Sequence, residues 1–489
     1  LDSNHEKMNI WFAVSEAEGL VKSGGLADVA KALPKALMDL GHQVAIVLPG
    51  YRTIDEKQNL PVILETELLH WPHTRYQVRL TELDKVPVYL IDCEEYFDRP
   101  DLYAEQNHAY VDNGERFGFF SAACLDILPK LAIHPDIIHA NDWHTALIPF
   151  LLKTRYRDDG YYSGIKTILT VHNAIFKGIF SYHQLEIIPE LNLSGMEFLQ
   201  YGHDHVSTLR AGIAFADKIN AVSPNYASEL LTPLGSHGLV DDFVRRARDL
   251  HGIINGCDYS EWSPATDRYL PQTYHAEENA LKSGKASSKQ ALQQELALPQ
   301  VAIPMFGMVC RLTHQKGFHY LLPILDQFLR NEVQLVIVGT GESQIAEKLH
   351  KIAATHPNKF VFIEAYSNRL AHLVEAGSDF FIMPSEFEAC GLNQIYSMAY
   401  GTLPIIREVG GLKDTVQDYD KYPQQATGFG FQDPTPAALL ITMQRALLFY
   451  LQNPDEMLKV QLRAMQKDFS WLDSAQEYLK MYRSAIFDY

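Results

Sequence analysis

Residues 9–48 read NIWFAVSEAEGLVKSGGLADVAKALPKALMDLGHQVAIVL. Asn9–Val14 is a short apolar run rich in strand formers, and Gly19–Gly25 is a glycine-containing loop. A helical pattern runs from Leu26 to Leu40 and stops at Gly41, after which Gln43–Leu48 forms a second strand. Strand, loop, helix and strand in that order imply a parallel sheet with a right-handed crossover. The rhythm recurs at Asp136–His139, at Lys166–Val171, which ends at His172, and at Lys218–Val222, which ends at Ser223-Pro224. It restarts in the second half with Met305–Val309, Val333–Val338, Lys359–Ile363, Asp379–Met383 and Leu403–Ile406, separated by helical patterns. Between the halves, residues 260–300 are polar and carry a Lys/Gln/Glu-rich helical stretch from Ala276 to Leu296. Helices close the chain from Ala437. The expected fold is α/β: two doubly wound, Rossmann-like lobes facing a deep cleft. Their expected bounds are 1–258 and 259–467, with 468–489 a helical segment packing back on the first lobe.

The 489 residues are 47% hydrophobic and 21% charged, which places the chain among ordinary globular proteins. Lys and Arg total 42 against 60 Asp and Glu, a net charge of −18. That disfavours nucleic-acid binding, which needs a basic face, but is compatible with a phosphorylated small substrate held by a few local cations. Cys93, Cys124, Cys257, Cys310 and Cys390 are odd in number and lack metal-ligand spacing. No disulfide framework or zinc knuckle is expected, and a reducing compartment fits. Pro436–Leu451, the most apolar stretch, is interrupted by Gln444 and Arg445, so no membrane span is expected. Residues 1–7, LDSNHEK, lack an apolar signal region and read as a remnant of processing.

Several motifs could carry chemistry. Lys22-Ser23-Gly24-Gly25 lies between a strand and a helix, where glycines let backbone amides approach an anion and Lys22 adds a mobile cation. A solvated lysine before a tight turn has the same signature. Gly24-Gly25-Leu26-Ala27-Asp28 is echoed by Gly410-Gly411-Leu412-Lys413-Asp414, which reads either as two helix N-termini aimed at one anion or as two glycine-tolerant turns. Gly339-Thr340-Gly341 resembles a dinucleotide fingerprint, but Gln344 stands at the third glycine position, and a tight turn explains it without a cofactor. His139 and His144 are five apart, which is wrong for a metal site on one helix face. Arg311 and Lys316, on a loop after a strand, can straddle a diphosphate. Ser385-Glu386-Phe387-Glu388 enters a helix, where Glu388 either faces a ligand or complements the helix dipole near Leu392.

The order of the motifs is more telling than any one of them. SEAEGLVKSGGLADV, HANDWHTALIP, TVHNAIFKGIF, AVSPNYASEL, INGCDYSEWSP, RLTHQKG and SEFEACGLNQIYSMAYGTLPIIREVGGLKDTV together resemble the bacterial glycogen synthases and plant starch synthases, glycosyltransferase family 5. The resemblance runs from Met8 to Val416 and more weakly to the end. It implies a GT-B fold and a retaining, metal-independent transfer of glucose from ADP-glucose or UDP-glucose to the nonreducing end of an α-1,4-glucan. The implied partners are glycogen, starch or maltooligosaccharides, with no cofactor, no nucleic acid and no membrane. The implied compartment is a bacterial cytoplasm, or a plastid stroma for a plant or algal chain.

Carried over by position, Lys22 and Gly25 contact donor phosphate, and Asp142 and His172 line the glucose pocket, with the His172 carbonyl toward the anomeric carbon. Arg311 and Lys316 neutralise the diphosphate, and Glu388 sits near the transferred sugar, seated by Cys390, Gly391 and Leu392. Gly410, Gly411 and Thr415 reach phosphate and ribose, and Asn255 matches the asparagine of an interlobe segment. Phe362 and Tyr366 are candidates to stack on the base. A glycosidase-like pair of Asp142 and Glu388 stays open from the residues alone. So do a non-catalytic glucan- or nucleotide-binding relative and a GT-B transferase with another acceptor. The sequence departs from the family at Glu18-Gly19, where a proline is common, at Ser23 in place of Thr, and at Arg210 in place of Lys. Tyr396 stands where related transferases carry a second Glu.

Overall fold

The computed structural model describes residues 7–68, 70–71, 74–106 and 108–487. Residues 1–6, most of the stretch read as a processing remnant, lie outside the described residues. The chain divides into two compact units. One contains the described residues up to Gly256 and those from Trp471 onward; the other is Cys257–Ser470. The expected bounds at 258 and 467 therefore move to 256 and 470. Cys257 and Ser470 form a bridge and the Cys257 N–H donates to the Phe469 carbonyl, which ties both ends of the segment to the second unit. Gly256 packs on Trp471 in the first, where a Cβ would lie 2.6 Å from the indole Cγ.

The first unit is built on nine strands: β1 (Asn9–Ala13), β2 (Gln43–Pro49), β3 (Val62–Glu67), β4 (Arg75–Leu83), β5 (Val86–Asp92), β6 (Ile137–Asn141), β7 (Lys166–Val171), β8 (Lys218–Ala221) and β9 (Leu250–Gly252). Their order is β9-β8-β7-β6-β1-β2-β5-β4-β3. Only β4 runs against the others, so the expected all-parallel sheet is corrected at one edge. Ile10, Trp11, Phe12 and Ala13 of the central strand are fully buried, as expected for a parallel strand covered on both faces. The helix Gly25–Asp39 covers one face. The C-terminal helix Trp471–Phe487 packs against it. That helix also carries a polar anchor: the Tyr482 hydroxyl meets His139 Nδ1 at 2.7 Å, and Asn220 donates to the Tyr478 hydroxyl at 2.8 Å.

The second unit has six parallel strands: β10 (Met305–Val309), β11 (Gln334–Val338), β12 (Phe360–Ile363), β13 (Phe380–Met383), β14 (Leu403–Arg407) and β15 (Phe429–Phe431). Their order, β12-β11-β10-β13-β14-β15, is that of the doubly wound dinucleotide-binding fold. In such sheets ligands bind beyond the carboxyl ends of the strands where the order reverses. Here those points are β1/β6 in the first unit and β10/β13 in the second. The loops that leave them are Val14–Gly24 and Asp142 in one unit, and Cys310–Gly317 and Pro384–Leu392 in the other.

Candidate active site

In the first unit, Asp142 follows β6 with φ +55°, a left-handed conformation that costs a non-glycine residue about 1 kcal/mol and points to a functional constraint. Its Oδ1 accepts the His172 backbone N–H at 2.7 Å. The His172 ring is set by its Nε2 against Asn141 Oδ1 at 2.9 Å. Burial pushes the Asp142 carboxyl up to about 7, against the His172 and Asn173 amides that pull it down. Burial holds the His172 imidazole down at about 3, so it is neutral. Asn255 is buried in this unit with Oδ1 unpartnered among the described residues. Both His139 nitrogens are engaged, by Tyr482 and by Thr170 at 2.7 Å. His139 is thus a core residue with both ring nitrogens in use.

The glycine loop is organised by a residue that the motif reading missed. Glu16, only 2% exposed, accepts the Gly24 N–H at 2.9 Å and hydrogen bonds from the Ser23 and Tyr103 hydroxyls. The Gly24 amide is therefore engaged by a carboxylate. Gly25, whose missing Cβ would meet nothing within 4 Å, is the loop's open position. Lys22 is pinned between Glu18 at 2.8 Å and Asp28 at 2.7 Å. Burial alone would lower its ammonium, but the Asp28 and Glu18 carboxylates raise it above its usual value. It is a paired cation, not the mobile one expected. A charged residue three positions past a buried strand is the available signal for Glu16. Arg210 forms a structural pair with Asp242 at 3.1 Å.

In the second unit, Lys316 Nζ lies 2.7 Å from Glu388 Oε2, which also accepts from Ser385 Oγ at 3.1 Å. The helix Asn393–Ala399 is capped by Leu392 with no side-chain bond, so Glu388 does not cap it. Arg311 is exposed on the same loop as Lys316. The Gly339–Gly341 turn buttresses that loop: added Cβ atoms would lie 2.0 Å from the Cys310 carbonyl and 2.4 Å from that of Leu312. Close packing, not a dinucleotide, explains those glycines.

Gly410 has φ +44° and a Cβ there would lie 1.7 Å from the Glu388 carbonyl oxygen. The Gly411 N–H donates to the carbonyls of Glu388 and Ala389. This glycine pair therefore seats the Glu388 backbone. Thr415 is buried, its hydroxyl engaged by the Gly411 carbonyl and Gln394. Cys390 is buried, and Gly391 has φ +74° beside Gln394. Phe362 belongs to the core of this unit, its ring against His350, and is removed from the stacking candidates. Tyr366, 82% exposed, is left as the aromatic that could meet a base.

Comparison with known proteins agrees with the two-unit fold. Residues 9–245 match the family model described as the starch synthase catalytic domain, and residues 297–458 match that of glycosyl transferases group 1. Glycogen synthase of Vibrio cholerae is 76% identical over 482 residues, covering 99% of this chain and 100% of the relative. That of Vibrio parahaemolyticus is 60% identical over 479 residues, covering 98% and 99%. The solved catalytic domain of starch synthase IV from Arabidopsis thaliana, bound to ADP and acarbose, matches with a TM-score of 0.88 at 30% identity, covering 98% of this chain and 100% of that one. Sucrose-phosphate synthase from Thermosynechococcus elongatus, at 18% identity and a TM-score of 0.60 over 99% of this chain and 100% of that one, shares the fold.

Two Rossmann-like units, each with candidate groups at its switch point, define a glycosyltransferase of the GT-B class. Within that class the chain belongs to the glycogen synthase and starch synthase family. No helix among the described residues is long and apolar enough to cross a membrane.

Proposed function

We propose that this chain elongates an α-1,4-glucan by transferring glucose from ADP-glucose to its nonreducing end, with retention of configuration, without a metal, and in the cytoplasm. The relatives that carry the name glycogen synthase are bacterial, and the Arabidopsis relative was solved with ADP bound, which favours an adenine donor. One observation carries the reading: Lys316 and Glu388 meet at 2.7 Å at the β10/β13 switch point, with Arg311 on the same loop. Breaking the bond from the anomeric carbon to phosphate builds positive charge on glucose and negative charge on the leaving diphosphate. Arg311 and Lys316 answer the second charge, and Glu388 the first. The acceptor O4 bonds to the anomeric carbon on the face the diphosphate leaves, and its proton passes to a leaving phosphate oxygen. In the first unit, the Asp142 carboxylate and the Asn141 amide fix the His172 backbone and ring, which orients the His172 carbonyl for the sugar.

The test is glucose incorporation into glycogen from ADP-glucose and UDP-glucose side by side. Incorporation at least tenfold faster from ADP-glucose is expected. Incorporation from neither, with glucan still bound, would favour a non-catalytic binding protein; a preference for UDP-glucose would overturn the donor assignment.

A further inference from the structure

Lys316 and Glu388 sit on two different loops, so their meeting depends on what fastens the loops together. The backbone makes part of the connection. The Glu386 N–H donates to the Gln315 carbonyl at 2.8 Å, and the Gln315 side-chain amide donates to the Phe387 carbonyl at 3.3 Å. Gly317, at φ +81°, lies so close to Pro384 that a Cβ would come within 1.9 Å of its carbonyl oxygen. The side chains supply the rest. Glu386 accepts from the Tyr320 hydroxyl and meets His319 Nε2 at 3.0 Å. The His319 ring lies flat on that of His314, 3.8 Å between centroids and 5° from parallel. His314 and Lys316 share one turn of helix, His314–Lys316. Arg407 grips the other side by donating to the Ser385 and Glu386 carbonyls.

The two loops are thus joined by an inner rung, Lys316 to Glu388, and an outer rung from Glu386 to His319 and Tyr320, with Glu386 two positions from Glu388 and His319 and Tyr320 three and four from Lys316. The inner rung must loosen if the Lys316 amine is to follow charge onto a diphosphate. The outer rung need not, because its charge touches neither group. We infer that Glu386, through His319 and Tyr320, is a positioning residue that keeps Lys316 in register with Glu388 during transfer. This rests on the reading of Lys316 and Glu388 as donor-site groups.

The role has a kinetic signature. Displacing a charge-stabilising group by about 1 Å costs up to about 100-fold, and the loss falls on the transition state. Glu386→Ala should therefore lower kcat by about 10- to 100-fold while leaving the KM for the donor within about threefold. Placed in a Lys316→Ala background, the same change should cost less than about twofold more, because it acts through Lys316. Glu386→Gln, which can still accept from Tyr320, should recover most of the turnover. His319→Ala, on a partly exposed ring, should reproduce the defect with little loss of melting temperature. Normal turnover in both Glu386→Ala and His319→Ala would overturn the inference. So would an undiminished loss in the Lys316→Ala background. If Lys316→Ala itself turns over normally, the donor-site reading fails instead, whatever Glu386 does.

Discussion

Glu388 is held by one ammonium and one hydroxyl, both of which a glutamine carbonyl could also satisfy. Glu388→Gln should therefore fold normally and bind donor, while turnover falls by about 100-fold because the negative charge opposite the developing positive sugar is gone. Steady-state kinetics at saturating glycogen, with a melting curve, decide this; unchanged kcat would leave Asp142 as the better candidate. Asp142 makes its own prediction. Its carboxyl, raised by burial to about 7, is protonated below that value, so the acceptor for the His172 N–H weakens as pH falls. The pH profile of kcat/KM should rise through about 7, and Asp142→Asn should remove that limb along with most of the activity. A limb that persists in the variant would assign it elsewhere. Asp142 and His172 stand out in the sequence because each directly follows a buried strand, and Lys316 and Glu388 because each brings a charge to a loop that leaves one. Glu16, Glu386 and Asn141 do not, since their work is to hold neighbours, and only a fold shows which neighbours they have. Phe362 and Thr415 show the other side of this: both lie near a motif, and their side chains turn into the unit.

The elements repeat the pattern. Most strands come within a residue or two of the bounds read from apolar runs, since β-branched stretches flanked by turn residues leave little choice. The β3–β4–β5 edge was not legible. Its strands interleave Glu65, Glu67, Arg75, Arg79 and Glu82 with apolar residues. The turn that joins β4 to β5 is Asp84-Lys85, both at positive φ, without the glycine that usually announces such a hairpin. Expectation and structure agree better for the C-terminal helix, whose docking can be tested. Tyr482→Phe removes the partner of His139 Nδ1 and should cost about 1–3 kcal/mol, the usual penalty for an orphaned buried polar group. The same unit should be acid-sensitive. Burial holds His139, His144 and His172 at about 3, so between pH 6.5 and 4 the unfolded chain binds three protons that the folded one does not. Asp142 opposes this with one proton bound only when folded. The net is 3 − 1 = 2, so stability should fall by up to about 3 kcal/mol per unit as pH drops through that window. Denaturant titrations at pH 7, 6 and 5 measure it, and a flat profile would mean these histidines charge in place.

At the scale of the whole chain, a net charge of −18 has to accommodate a donor that is itself an anion. A negative surface repels a nucleoside diphosphate sugar at long range, so productive binding needs cations concentrated where the phosphates lie. Two solutions are available to a glycosyltransferase: a divalent ion brought by carboxylates, or side-chain cations and backbone amides built into the loops. The second unit has the ingredients of the second solution, with Arg311 and Lys316 on one strand-end loop. The nearby carboxylate, Glu388, is already occupied by Lys316 and Ser385. Transfer should therefore proceed at an undiminished rate in excess EDTA with a donor freed of divalent ions, and added magnesium should change kcat by less than about twofold. Because fixed cations act over a screened distance of about 8 Å at physiological ionic strength, raising salt should increase the donor KM more than it lowers kcat. The two measurements together discriminate between the solutions. Loss of most activity in EDTA, restored by magnesium or manganese, would place an ion on the diphosphate and reduce Lys316 to the partner of Glu388.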